Sequence, residues 1–262
     1  MIQITNLQKG IFKRRYKRFF IDFLIENKIE SAHCPNTGSM KSCLKENSEI
    51  LYSVTDNPNR KLKYTLEFIK PNDWVLVNTQ RVNTIVEFFL KIQQEYKYQY
   101  LLKEPKLDSF RPDFLLFNEN HISDLTKFKL PLNNKLLLNP NYQNDLKPLF
   151  IEVKNVTYYV EEKNCLSFPD AVTIRGSKHL EHLIKLIDQG FATAIYFALS
   201  RSEGSFFCPS KDIDKNFSEL LGYFYEKGGK IYPLRFSFKI YKKSFNNYTV
   251  IINFSEILKL KL

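Results

Sequence analysis

Phe150-Ile151-Glu152-Val153-Lys154 sets two charged side chains at alternate positions among apolar ones. Alternate residues of a β-strand share a face, so Glu152 and Lys154 point to one side while Ile151 and Val153 bury on the other. A carboxylate and an ammonium then face the same pocket. A lone Glu-x-Lys is ordinarily a surface ion pair on an edge strand, worth little, so the neighbouring sequence decides whether it is more. Upstream, Arg111-Pro112-Asp113-Phe114-Leu115-Leu116 reads as the start of an adjacent strand. With Asp113 beside Glu152, two acids hold a divalent cation, Mg²⁺ or Mn²⁺, and the Val153 backbone carbonyl offers a third oxygen. Lys154 then steadies an anionic oxygen or orients the attacking water, which completes the minimal equipment for hydrolysing a phosphodiester.

Working outward, Ala192 to Leu199 is a continuous apolar run that follows a helical stretch from about Gly176 to Asp188. Such a run is a central strand covered on both faces, and a βαβ crossover joins it to the strand of Glu152. Further strands are expected around Tyr98 to Leu102 and at Asp113 to Phe117. Val82, Ile85, Val86, Phe89 and Ile92 recur at helical spacing between Thr79 and about Leu101 and open this α/β unit. The first 80 or so residues read differently. Ile21 to Ile25, Glu30 to His33, Glu49 to Val54, Leu62 to Ile69 and Trp74 to Asn78 are short β-like runs between turn signals, the pattern of a small β-barrel or sandwich, with a five-stranded barrel the more economical of the two. Residues 118–148 carry no clear pattern and are an insertion without an assigned role; the tail from 236 to 262 extends or caps the sheet.

A chain of 262 residues, 44% hydrophobic and 15% aromatic, supports real cores. Thirty-nine Lys and Arg against 28 Asp and Glu leave a formal charge of +11, which favours polyanionic partners, nucleic acid first. Cys34, Cys43, Cys165 and Cys208 lack zinc-ligand spacing and are expected as reduced thiols. No basic-then-apolar leader and no run of 18 apolar residues is present, so a cytoplasmic protein without a membrane segment is expected.

Two basic clusters accompany the acids. Lys13, Arg14, Arg15, Lys17 and Arg18 alternate with Phe12, Tyr16 and Phe19, as in segments that track a nucleic-acid backbone and stack on bases; a solvated basic face explains the charges equally. Arg175-Gly176-Ser177-Lys178-His179 puts Arg175 and Lys178 at a helix N-terminus suited to phosphate. Asn36-Thr37-Gly38 forms a tight polar turn. For Glu87 two readings stand, inward to the same ion or outward on a solvated helix face. For His179 they are a catalytic base and a hydrogen-bonded core histidine.

Arg15 to Phe19, Ala32 to Met40, Val77-Asn78-Thr79, Asp113 to Leu116, Glu152 to Thr157, Phe168-Pro169-Asp170-Ala171-Val172-Thr173 and Arg175 to Leu180 together resemble the sugar fermentation stimulation protein A family over roughly residues 10 to 235. The resemblance implies a mixed α/β (α+β) chain: an N-terminal OB-like β-barrel over residues 1–80, then a PD-(D/E)XK nuclease-like α/β domain over 81–235. It implies a DNA-binding protein linked to regulation of sugar-utilisation genes. Asp113, Glu152, Lys154 and Glu87 are then the catalytic candidates, with Asp113, Glu152 and Val153 for the metal. Arg14, Arg15, Lys17, Arg18, Asn36, Thr37, Arg175 and Lys178 are the candidates for contact with DNA. The segment of more than thirty residues between the Asp113 and Glu152 strands, and the tail beyond Arg235, depart from the family pattern. A non-enzymatic DNA-binding regulator, a small-anion or sugar-phosphate binder at the Asn36–Gly38 turn, and pairing with a second copy of the chain remain alternatives to test.

Overall fold

The computed structural model describes residues 1–92, 97–108, 110–142 and 146–262. Strand β1 (Ile2–Tyr16) pairs with both β2 (Phe20–Ile25) and β4 (Glu49–Val54). The circuit β1-β2-β3-β5-β4 then closes through β3 (Lys28–His33) and β5 (Tyr64–Lys70), with β3 and β5 parallel and the other pairs antiparallel. This closed barrel has Phe12, Phe23, Ile50, Tyr52 and Leu66 inside, all essentially dry. A short β6 (Val75–Leu76) pairs with β5 and leads out of it.

The α/β unit begins with α1 (Val82–Ile92), whose Val82, Ile85, Val86 and Phe89 face inward as the spacing predicts; Leu90 joins them, whereas Ile92, expected on the same face, is 55% exposed at the helix end. Residues 93–96 of the expected longer helix lie outside those described. Then come β7 (Tyr100–Lys103) and β8 (Phe114–Phe117), the short helix α2 (Ile122–Leu125), and β9 (Leu136–Leu137), which pairs with β7 at the sheet edge. The segment read as a patternless insertion is thus held against the sheet by one more strand. β10 (Leu149–Val156) lies antiparallel to β8. A small second sheet follows, from β11 (Tyr158–Val160) and β12 (Cys165–Phe168).

Helix α3 (Ile174–Asp188) starts where the Thr173 side chain accepts from Gly176 N (3.0 Å) and stops before Gly190, whose φ of +92° suits only glycine well. β13 (Ala192–Leu199) returns parallel to β10 over eight register pairs, the expected crossover. β14 (Phe206–Pro209) joins the small sheet, and α4 (Lys215–Glu226) packs beside α3. Asp214 fixes both helix starts, accepting from Phe217 N (2.9 Å) and Thr173 N (2.8 Å).

The period-two alternation of β10 sorts its residues between two cores. Ile151 and Val153 join α1 in one; Phe150 joins Leu180, Leu183, Phe217 and Leu221 of α3 and α4 in the other. Fully burying a side chain such as Phe150 or Phe217 stabilises by roughly 2–3 kcal/mol. Glu152 and Lys154 therefore point toward α3.

The tail is integral to the sheet. β15 (Lys230–Ser244) runs parallel to β13 and turns into β16 (Asn247–Ile257), which pairs with residues 2–7 of β1. β17 (Lys259–Leu260) completes the small sheet. The boundary expected at 235 falls within β15, and β1 belongs to the barrel and to the main sheet at once. Among the described residues no helix is long and apolar enough to cross a membrane.

Candidate functional site

Asp113 sits just before β8, and its carboxylate reaches across to β10. Val153 N donates to Oδ2 and Asn83 Nδ2, from the first turn of α1, donates to Oδ1, both at 2.6 Å. One strand over, Glu152 Oε1 accepts from Lys154 Nζ (2.6 Å) and meets His179 Nδ1 at 2.5 Å. Arg175 Nε donates to His179 Nε2 (3.3 Å), so a single tautomer, with the proton on Nδ1, satisfies both imidazole contacts. Glu152 Oε2 is buried and has no hydrogen-bond partner among the described residues. A carboxylate oxygen left dry and unpaired is costly, and it marks where a further positive or donor group belongs.

These groups converge. Asp113, Glu152, Val153, Lys154, His179 and Arg175 all line one cavity of about 400 Å³, roofed by the barrel turn at Asn36, Thr37 and Gly38. Burial, reinforced by the charge of Glu152, pushes the Asp113 carboxyl up to about 6. Burial acts on Glu152 in the same direction, but the Lys154 ammonium and the His179 contact outweigh it and hold that carboxyl below its ordinary value. On acidification Asp113 takes up the proton first. Two carboxylates and a backbone carbonyl are hard oxygen donors of the kind that suit Mg²⁺, Mn²⁺ or Ca²⁺, and the unpaired Glu152 oxygen fits such an ion. No third acid, cysteine or histidine completes an all-side-chain cage among the described residues.

The other expected residues divide. Glu87 faces away from the cavity, bonded to Lys91 (2.6 Å) and Lys103 (3.3 Å); it borders a separate cavity that Asp113 touches from the other side. The basic arm is a barrel strand and turn. Arg15 donates to the carbonyls of Asn36 (2.8 Å), Gly38 (2.9 Å), Ser39 (2.9 Å) and Arg18 (2.8 Å), and Arg18 donates to that of Thr37. Arg14 pairs with Asp22 at 2.7 Å. Lys17 is exposed in the turn at φ 44°. Only Arg18 of this cluster lines the cavity; Lys178 is exposed and faces a neighbouring one.

Two contributors have no reading in the sequence: Asn83 and Asp170. Asp170 Oδ2 accepts from Met40 N (2.9 Å), and a Cβ at Gly38 would stand 2.5 Å from the Asp170 carboxylate, so that turn takes glycine by contact. The only hint lay in the Phe168–Thr173 block. His179 proves to be a cavity residue rather than a core one.

Comparison with known proteins agrees with this architecture. The family model for the SfsA N-terminal OB domain matches residues 14–77, and that for the sugar fermentation stimulation protein RE domain matches residues 80–242. A sugar fermentation stimulation protein homolog of Bdellovibrio bacteriovorus is 38% identical over 87% of this chain and 90% of its own. One from Pelagibacter ubique is 41% identical over 81% and 82% respectively. The structure of Pyrococcus furiosus SfsA in complex with Ca²⁺ superposes with a TM-score of 0.73, 21% identity, and coverage of 100% of this chain and 98% of that one. Barrel, α/β unit and sequence lead to one conclusion: the chain belongs to the sugar fermentation stimulation protein (SfsA) family.

Proposed function

We propose that the chain binds DNA and carries a divalent-metal-dependent phosphodiesterase site built on Asp113, Glu152 and Lys154, in the service of sugar-utilisation gene regulation. The observation that carries this reading is the buried, unpaired Glu152 Oε2 in a cavity shared with Asp113 and Lys154. The Ca²⁺ of the Pyrococcus furiosus relative supports it, since that ion takes the same oxygen ligands. Asp113, Glu152 and the Val153 carbonyl would hold Mg²⁺ or Mn²⁺, which supplies charge stabilisation at the phosphate and an acidified water. Asn83 and the Val153 N–H orient the Asp113 carboxylate from both sides. His179 and Lys154 hold Glu152 ionised, and Arg175, which shares His179, grips a phosphate oxygen at the cavity mouth.

The test is cleavage of several DNA and RNA forms with Mg²⁺ or Mn²⁺ by the wild type, Asp113→Ala and Lys154→Ala. Each variant is expected to lose about 100-fold or more. No cleavage of any substrate, or equal cleavage by the variants, removes the enzymatic half. A non-enzymatic DNA-binding regulator is the competing reading, and the Lys154–Glu152 ion pair favours it, because Lys154 neutralises Glu152 without a metal. That reading expects duplex affinity unchanged by chelator.

A further inference from the structure

We propose that a second cavity, of about 690 Å³ and sharing a wall with the first, seats an unpaired nucleotide next to the scissile phosphate. This rests on the nucleic-acid reading above and adds the substrate class: single-stranded or locally opened strands. The two cavities share Arg111, Arg175 and His179, so a chain leaving one enters the other.

Its lining has two chemistries. Lys106, Arg111, Arg175 and Lys178 provide four cations against one lining acid, Asp108. Among the described residues no carboxylate lies within ion-pair distance of Lys106, Arg175 or Lys178. Arg111 meets Glu104 only at 3.4 Å with both exposed, a pair of little worth. These are groups free to take backbone phosphates.

The second chemistry is apolar and flat. His182 lies on the buried Phe110 with ring centroids 5.1 Å apart and planes 7° apart, so flat rings form part of the cavity wall. Ile174 is 72% exposed at this cavity and Val172, equally exposed, borders the first. Two large apolar side chains exposed to water where the two cavities meet suit insertion between successive bases. The volume falls within the roughly 300–1,000 Å³ of small-ligand sites. A base held in a duplex stack does not reach such a pocket, whereas an unpaired base does.

Fluorescence anisotropy with a labelled oligothymidylate and with a blunt duplex of equal length, at several salt concentrations, tests this. The wild type is expected to prefer the single strand. The Lys106→Ala/Lys178→Ala double variant should weaken single-strand binding about tenfold. It should also flatten log K against log salt by about 1.4, at roughly 0.7 per single-strand phosphate contact. Ile174→Ser should cost about fivefold on the single strand and less than twofold on the duplex, the lower end of what one stacked base contributes. If both variants bind the single strand as the wild type does, or lose both forms equally, the subsite is wrong while the nucleic-acid reading stands. Thymidine monophosphate competing as strongly as the oligomer would likewise overturn it in favour of a free-nucleotide site. Binding of neither form by the wild type removes both proposals.

Discussion

The cations of the barrel turn and those around the start of α3 look alike in sequence and serve opposite ends in the fold. Arg15 and Arg18 turn their guanidinium groups inward onto five backbone carbonyls, and Arg14 is paired with Asp22. Lys106, Arg175 and Lys178 meet no carboxylate among the described residues and open onto cavities. Arginine's rigid fork of five donors organises loops that a lysine cannot. Charge counted along a chain is therefore not charge available to a partner. The barrel contributes a shaped roof to the site, and the α/β unit contributes its chemistry and its free positive charge.

Thermal denaturation of substitutions in the two regions can break or sharpen that contrast. Arg15→Ala should destabilise by about 3 kcal/mol, since it strands four carbonyls, and lower the melting midpoint by roughly 6–12 °C. A loss under 0.5 kcal/mol would return Arg15 to the solvent and to DNA. Asp113→Asn should act the other way, because its folded pKa of about 6 stands above the ordinary 3.8. The stability this carboxyl contributes is present below its unfolded pKa and lost as pH rises through about 6. The asparagine variant, with Asn83 turned to present its oxygen, should gain about 2 kcal/mol at pH 8 and little at pH 4. A gain independent of pH would show that the carboxyl's ionisation is not what costs stability.

Asp170→Asn, which weakens the acceptor for Met40 N, should cost about 1 kcal/mol and loosen the turn over the cavity, read as faster amide exchange at Met40. Unaltered exchange there would detach Asp170 from the roof. Glu87→Gln should have the smallest effect, about 0.5 kcal/mol from two half-exposed lysine pairs, with no loss of cleavage. Loss of cleavage comparable to that of Asp113→Ala would restore Glu87 to the ion.

The readable parts of this chain are those where periodicity and burial agree. Ala192 to Leu199 is a strand over the expected residues, and the alternation at 150–154 sorts its side chains between two cores as it should. β1 escaped reading because Asn6, at φ 57°, sits in a bulge between Ile4 and Leu7, and because its second half alternates with arginine rather than with neutral residues. The long segment before β10 hid its edge strand of two residues, too short to leave a pattern. In the site, Asp113, Glu152 and Lys154 were legible because strand chemistry is local. Asn83 and Asp170 were not, since each acts on a backbone N–H or carboxylate thirty or more residues distant, and nothing in a linear pattern records such a distance.

The span of β1 across both sheets has a practical consequence. A peptide cut at the border between the two matched domains, near residue 78, would keep the barrel circuit but strip residues 2–7 of β1 of their partner strand, and the second fragment would expose the flank of β16 to any strand that could pair with it. Gene fusions and chimaeras of this protein should exchange the whole chain, or graft residues 1–7 and 230–260 together.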